Sequence, residues 1–236
     1  MIKSIVSGPV LQVFDVAAAG QWLCENLFFR PVNSAENSRM ILENGSCTLY
    51  LEPCRKFISS PPPENSYFTG LAHVALRTGN IEAALEWCKT RSLVMQLQEG
   101  RSFFNPGVFG GGELYYNILS PFGVVFEISQ RVSDREFAGP QIIYGLDHLG
   151  IPCADLDAEL DFLEGIGFVA EFPIVHNFND REGNILCDMV SRQGLTLEVY
   201  QFVDRTPCSM PQDSPLRGVY GLGTATCSPG GLQMFE

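Results

Sequence analysis

Short runs of apolar residues, each followed by a turn and an amphipathic segment, recur three times along the chain. The copies begin with SGPVLQVFDVAAAGQWLCENLFF (7–29), TGLAHVALRTGNIEAALEWC (69–88) and YGLDHLGIPCADLDAELDFLEGIGF (144–168). Each copy predicts a strand, a turn and a helix. Further along, each is followed by an apolar strand with one Glu near its middle: CTLYLEP, FGVVFEIS and LTLEVYQF. A repeat of this length predicts an architecture built from similar modules.

The helical part of the repeat can be aligned on one aromatic residue in each copy: Trp22, Trp87 and Phe162. Seven residues before each aromatic stands Asp15, Asn80 or Asp155. Such side chains cap the first free N–H groups of a helix, so all three are predicted to begin one.

The strands of the repeat contain the side chains that could bind a metal ion. Seven positions before the capping residues stand Gly8, His73 and His148, and the Glu of the last strand is Glu52, Glu127 or Glu198. Two copies therefore combine an imidazole with a carboxylate. The first copy has Gly8 in that position, which has no side chain to bind an ion.

These patterns predict an α+β protein of repeated βαβββ modules. We place the modules at residues 1–60, 69–131 and 144–204, and a tail at 205–236. Three consecutive prolines in the segment 53–68 predict a linker or surface loop there. The glycine run 110–112 is interpreted as a hairpin loop, since neither a helix nor a lysine follows it as in a phosphate-binding loop. In the tail, VYGLGTATC (219–227) predicts a strand and faintly resembles the start of a fourth module; a terminal edge strand or ordered tail is the alternative.

Composition narrows the classes of function. The chain has 236 residues, 45% of them apolar, which is ample for a core. A net charge of −12 with 15 Lys and Arg argues against nucleic acid or an anionic membrane as a partner. No run is apolar enough for a signal peptide or a membrane span, so a cytoplasmic protein is expected. Its eight cysteines form no CxxC motif, and reduced thiols are predicted.

Repeated βαβββ units with His in the first strand and Glu in the last resemble the vicinal oxygen chelate superfamily, which includes glyoxalase I, epimerases, extradiol dioxygenases and bleomycin-binding proteins. The resemblance implies that two modules pair into open, cup-shaped mixed sheets around a divalent metal ion. Modules two and three are most similar to bacterial glyoxalase I, which implies four metal ligands: His73, Glu127, His148 and Glu198. It further implies Glu198 as the general base, with Glu127 as second choice, and Arg77 as a contact for the glutathione carboxylate.

Two imidazoles and two carboxylates suit Zn, Ni, Co, Mn or Fe, and sequence does not distinguish among these ions. An ion bound to a substrate carbonyl lowers the cost of forming an adjacent enolate, and a carboxylate can then move the proton. The structural alternatives are a satisfied core role for each His and a solvated outer face for Glu127. Glu52 can be purely structural, and His176 is assigned no role.

Two pairings of the modules are open. Pairing of module two with module three assembles the four ligands, whereas pairing of one with two places Gly8, Glu52, His73 and Glu127 in the cup. An odd number of modules leaves one sheet uncovered, so a homo-oligomer is expected unless the VYGLGTATC strand covers that sheet.

The function predicted first is a metal-dependent isomerase, lyase or epimerase that acts on a small oxo or acyl substrate. The alternative is a non-catalytic protein that binds a small planar molecule, because aromatic residues concentrate in module two: Phe103, Phe104, Phe109, Tyr115 and Tyr116. A ring-cleaving dioxygenase is a third possibility.

Overall fold

The structure is a computed structural model that describes residues 8–32, 39–54, 62–134, 141–171, 175–179, 183–209, 216–220, 226–229 and 232–235. Its first module contains β1 (Gly8–Val13), α1 (Val16–Leu27), β2 (Arg30–Pro31), β3 (Met40–Asn44) and β4 (Cys47–Pro53), and β5 (Ser66–Thr69) follows. The second contains β6 (His73–Arg77), α2 (Ile81–Thr90), β7 (Val94–Gln96), β8 (Phe103–Asn105), β9 (Glu113–Leu119) and β10 (Val125–Arg131). The third contains β11 (Leu146–Pro152), α3 (Leu156–Gly165), β12 (Val169–Ala170), β13 (Val175–Asn179), β14 (Gly183–Arg192) and β15 (Leu195–Phe202). The last strands are β16 (Thr206–Ser209), β17 (Leu216–Tyr220), β18 (Thr226–Cys227) and β19 (Gln233–Phe235).

The three helices begin where the repeated Asp or Asn predicts. The side chains of Asp15, Asn80 and Asp155 accept hydrogen bonds from backbone N–H groups three residues later, at 2.9, 3.0 and 3.1 Å. Each cap satisfies one of the orphan donors of the first helical turn. The aligned aromatics of the three helices pack against the core, as the amphipathic pattern predicts.

The larger sheet joins the second module to the third. Its order is β12-β14-β15-β11-β6-β10-β9-β7, with β13 on β14 and β8 on β9. Within each module the first strand runs parallel to the last, β6 beside β10 and β11 beside β15. The two modules meet where β6 pairs antiparallel with β11. Of the two pairings that the sequence left open, the structure has the second module with the third.

The smaller sheet joins the first module to the tail, in the order β18-β19-β17-β1-β4-β3-β2. β17 pairs antiparallel with β1, just as β11 pairs with β6. β19 runs parallel to β17, and β18 antiparallel to β19, which repeats the arrangement of first, last and penultimate strands in a module. The tail therefore acts as an incomplete fourth module.

One prediction about these segments was wrong in detail, and another falls partly outside the described residues. The predicted strand VYGLGTATC has its ends in β17 and β18, and residues 221–225 are not described. The predicted linker contains β5, which pairs in parallel with β16. β17 pairs with the edge of β1, the exception that the sequence left open for the predicted oligomer.

The two sheets are joined through their helices and one buried side chain. The Trp87 indole N–H donates to the Asn26 carbonyl at 2.9 Å, and its ring lies 4.7 Å from that of Phe28. The Asn44 side chain donates to the carbonyls of Leu27 and Ile143, at 2.8 and 3.1 Å. A single apolar cluster extends through these contacts and includes residues of all three modules.

The α+β class with open mixed sheets is confirmed. Seven cysteines with described side chains are free thiols, at positions 24, 47, 54, 88, 153, 187 and 208. No helix among the described residues is long and apolar enough to cross a membrane.

The tail is expected to contribute to the stability of the whole chain, because Leu232 is fully buried in the shared core. Leu232→Ala should lower the free energy of unfolding by about 2–5 kcal/mol, through lost burial and the cavity left behind. Chemical denaturation measures this, with the half-exposed Val203→Ala as the control, expected to change stability by less than about 0.5 kcal/mol. Equal unfolding curves for the two variants would show that the tail does not belong to the core.

Candidate metal centre

Strand alternation builds a cavity on one face of the larger sheet. In β9, Glu113, Tyr115 and Asn117 face the cavity, whereas Tyr116 and Ile118 are buried in the core. The strands β10, β14 and β15 alternate in the same way. The resulting cavity of about 260 Å³ is lined by Ala72, His73, Gln96, Asn105, Glu113, Tyr115, Asn117, Val125, Glu127, Ile185, Cys187, Glu198, Tyr200 and Phe202.

Of the four side chains predicted as metal ligands, His73, Glu127 and Glu198 line this cavity, and the fully buried His148 contacts all three. The Nε2 atoms of His73 and His148 lie 3.3 Å apart. Glu198 Oε2 lies 3.4 Å from His73 Nε2 and 3.6 Å from His148 Nε2, and Glu127 Oε1 lies 3.5 Å from His148 Nε2. Glu127 is 6% exposed, so its alternative placement on a solvated outer face was wrong.

The two imidazoles meet because β6 and β11 are neighbours, and a bulge sets the position of His148. Leu146 pairs with Leu76 and Leu149 with Val74, so β11 has one more residue than β6 between these pairs. His148 lies in that irregular stretch. A bulge turns side chains away from the regular alternation of a strand, and bulges are common beside active sites.

A glycine makes room for the other imidazole. Gly150 pairs with His73 across the strands, and a Cβ at Gly150 would overlap with the His73 ring. The absence of a side chain at this position leaves room for the Cε1 corner of the His73 ring, with Nε2 3.3 Å from His148 Nε2.

Asp147 orients the buried His148 ring. Its Oδ1 lies 3.3 Å from His148 Nδ1, and both of its oxygens accept hydrogen bonds from Arg131, at 2.9 to 3.2 Å. Burial opposes ionisation of Asp147, but hydrogen bonds and charges from His148 and Arg131 outweigh it and lower the Asp147 pKa to about 2. An anionic Asp147 favours the tautomer with hydrogen on Nδ1, which leaves the Nε2 lone pair directed into the site.

The site attracts positive charge. Burial alone would lower the pKa of His148, but Asp147, Glu198 and Glu127 together raise it well above its ordinary value. Likewise, burial would raise the pKa of Glu198, but its hydrogen bonds to His148 and His73 lower it. The same field that favours a proton on His148 also favours a bound cation.

Sequence reasoning missed two acidic residues of this centre, Asp147 and Glu113. Glu113 is 4% exposed, accepts a hydrogen bond from the Ser129 hydroxyl and lines the cavity. Burial raises its pKa to about 7, against the opposing charge of His148. Two signals were present in the sequence: Asp147 directly precedes a predicted ligand, and Glu113 begins an alternating polar set in ELYYNIL.

Other predicted residues lie elsewhere. Glu52 is buried in the smaller sheet and forms an ion pair with Arg39 at 3.3 Å. Gly8 lies so close to the backbone of Thr48 that a Cβ would overlap with the carbonyl oxygen.

Arg77 is not among the described residues that line the cavity, and its Nε lies 3.9 Å from Asp147 Oδ2. The side chain of His176 is outside the described residues.

The fit between Gly150 and His73 can be tested by adding one methyl group. Gly150→Ala should displace the His73 ring and lower the affinity for a divalent metal ion, measured by calorimetric titration. Gly165→Ala is the control, because a Cβ there meets nothing within 4 Å, and it should bind metal as the parent does. Unchanged affinity in Gly150→Ala would show that the position of the His73 ring does not matter for binding.

No protein-family model matches the chain, and no curated protein sequence matches it. Solved structures do. A mutant form of glyoxalase I from Zea mays is 15% identical with a TM-score of 0.62, over 97% of this chain and 91% of that one. Glyoxalase I from Zea mays is 16% identical with a TM-score of 0.59, over 91% and 73% of the respective chains. A "putative dioxygenase" from Bacillus subtilis is 15% identical with a TM-score of 0.57, over 90% and 68%. The chain thus has the fold of the vicinal oxygen chelate, or glyoxalase-like, proteins.

Proposed function

We propose that this chain is a metal-dependent isomerase, lyase or epimerase that acts on a small oxo or acyl substrate. The observation that carries the proposal is that His148 Nε2 lies 3.3–3.6 Å from one donor atom of each of three other side chains, those of His73, Glu127 and Glu198. The glyoxalase-like fold supports it only as an analogy, because one fold hosts several chemistries.

The spacing of His73, His148 and Glu198 fits a single ion, and Glu127 lies 3.5 Å from His148. With metal–ligand bonds of ~2.1 Å, neighbouring ligands lie ~3.4 Å apart around a tetrahedral ion and ~3.0 Å apart around an octahedral one. The observed separations are within a few tenths of an ångström of these values. The residues that would hold the ion are His73, Glu127, His148 and Glu198, and Zn, Ni, Co, Mn and Fe all accept such donors.

A bound divalent cation supplies stabilisation of negative charge on a substrate oxygen. The protein then has to move a proton on a neighbouring carbon, and Glu198 is the candidate base. Its side chain is only 19% exposed, and Oε2 faces both imidazoles while Oε1 lies 3.9 Å from Cys187 Sγ. A carboxylate held in this way can take a proton on one face of a substrate in the cavity and return it at another position.

The cavity wall bears on the size and shape of the substrate. Tyr115, Tyr200 and Phe202 add aromatic surface, and Gln96 and Asn117 add hydrogen-bonding groups. The cavity of about 260 Å³ suits a small molecule. Contact of Arg77 with the substrate and assembly into a homo-oligomer both stay predictions.

Binding of a planar small molecule without catalysis is the second candidate, and the aromatic wall favours it. Of the aromatics of module two, Tyr115 lines the cavity, with Phe103 stacked on it at 5.2 Å between ring centroids. Tyr116 lies in the core, and Phe104 is half-exposed.

A dioxygenase is supported by the group His73, His148 and Glu198, since two His and one carboxylate form the facial triad of non-haem iron oxygenases. Oxygen consumption would separate this reaction from isomerisation.

Metal binding is the first test. Protein purified without a His tag should bind one equivalent of Mn, Fe, Co, Ni or Zn, and an ion at 100 times its Kd should stabilise the fold by about 2.7 kcal/mol. Thermal unfolding with and without each ion measures this, and His73→Ala should remove most of the shift. A parent protein that none of these ions stabilises would rule out the metal-dependent function and leave the binding protein.

Proton transfer is tested with Glu198→Gln, once a substrate has been found among 2-oxoaldehyde–thiol adducts and acyl-CoA epimers. The variant should keep the metal, because an amide oxygen still ligates weakly, but lose about 10²- to 10⁴-fold in rate. Glu127→Gln is the matched comparison and should lose less. Equal activity of Glu198→Gln and the parent would show that Glu198 carries no proton.

A further inference from the structure

Glu113 brings a third carboxylate to the cavity from a strand that supplies none of the predicted ligands. It stands at the start of β9, opposite Arg131 of β10. Ligand atoms of Glu113, Glu127 and His148 all lie within 4.8 Å of one another, as do those of His73, His148 and Glu198. His148 belongs to both groups and links them.

Among the described contacts, Glu113 forms no ion pair with a Lys or Arg side chain. Ser129 donates a hydrogen bond to it, but the guanidinium of Arg131 is forked onto Asp147 instead. A carboxylate that is 4% exposed is costly to hold as an anion unless a positive charge lies nearby. Glu127 and His148 offer ligand atoms within 4.8 Å of Glu113, and Glu198 lines the same cavity, so a divalent ion between them would compensate all three carboxylates.

We propose, on the basis of the metal-dependent function above, that Glu113 is a fifth protein ligand of the metal ion. The donor set then consists of two imidazoles and three carboxylates. In an octahedron with bonds of ~2.1 Å the ligand atoms lie between ~3.0 and ~4.2 Å apart. The atoms inside each group lie within 4.8 Å of one another, so one ion can bind all five residues once the Glu113 and Glu127 side chains rotate toward His73 and Glu198.

A fifth ligand determines which ions bind well. Zn²⁺ is satisfied by four ligands in a tetrahedron, whereas Mn²⁺ accepts six and prefers carboxylate oxygen. Glu113 therefore stabilises Mn²⁺ more than Zn²⁺. With five protein ligands, one position of a six-coordinate ion stays open for a substrate oxygen. Three carboxylates around a divalent ion also leave one net negative charge, which disfavours substrates with an anionic group at the reacting end.

The test measures the Kd of the full-length protein for Mn²⁺ and for Zn²⁺ by calorimetric titration. Glu113→Gln keeps the size of the side chain and its contact with Ser129 but removes the charge, and Glu113→Ala removes the ligand altogether. Glu52→Gln is the matched control, because Glu52 is also a buried strand carboxylate but lies in the other sheet. Circular dichroism and thermal unfolding check that each variant is folded.

We expect Glu113→Gln and Glu113→Ala to weaken Mn²⁺ binding by about tenfold or more, at least the loss typical of residues that support metal ligands. Zn²⁺ binding should weaken by less than about threefold, and Glu52→Gln should bind both ions as the parent does. The visible absorption of the Co²⁺-loaded protein should rise in Glu113→Ala, because loss of a ligand lowers the coordination number.

Several results would overturn the proposal. Unchanged Kd values for both ions in folded Glu113→Gln and Glu113→Ala would remove Glu113 from the metal site, while the four-ligand centre and the proposed function stand. An equal loss for Mn²⁺ and Zn²⁺ would indicate a general effect of charge and not ligation. A parent protein that binds neither ion would instead overturn the metal-dependent function itself.

Discussion

The antiparallel pairing of β6 with β11 is the contact on which the candidate centre depends. Each strand begins or nearly begins with a histidine, and neither module alone places more than one imidazole at the cavity. Once these strands are neighbours, the parallel strands β10 and β15 lie immediately outside them and add one carboxylate from each side. Four strands thus bring one donor each to the neighbourhood of His148.

Holding so many acids together has an electrostatic consequence. Glu127, Glu198 and Asp147 lie around a fully buried His148, and their charges favour a positively charged group there despite the cost of burial. Arg131 compensates Asp147 directly through a forked ion pair. The remaining carboxylates are compensated only in part by the imidazoles, so the interior of the cup is arranged for a cation.

The smaller sheet shows what the same module does without these residues. Gly8 takes the position of the first histidine, and close approach to the backbone of Thr48 excludes any side chain there. Glu52 persists in the last strand but pairs with Arg39. The tail strands complete this sheet, and helix α1 packs against the second module through Trp22, whose ring lies 5.5 Å from that of Phe122. The first module therefore contributes to the common core and carries no comparable group of donors among the described residues.

The repeated pattern by itself determined the modules, the helix caps and the four donors at equivalent positions, because a local strand or helix period and an internal repeat are both visible in one dimension. It did not determine which modules pair, since every module offers a similar first strand, and only the packed structure selected β11 for β6 and β17 for β1. The sequence did not predict Asp147 and Glu113 as site residues for a related reason. Asp147 reaches His148 through a bulge, and Glu113 reaches the cavity through the register of β9 beside β10, and both depend on pairing between strands distant in sequence. Site residues that recur at equivalent positions of the repeat could be predicted from the sequence. Site residues whose position depends on strand register could be found only from the tertiary structure.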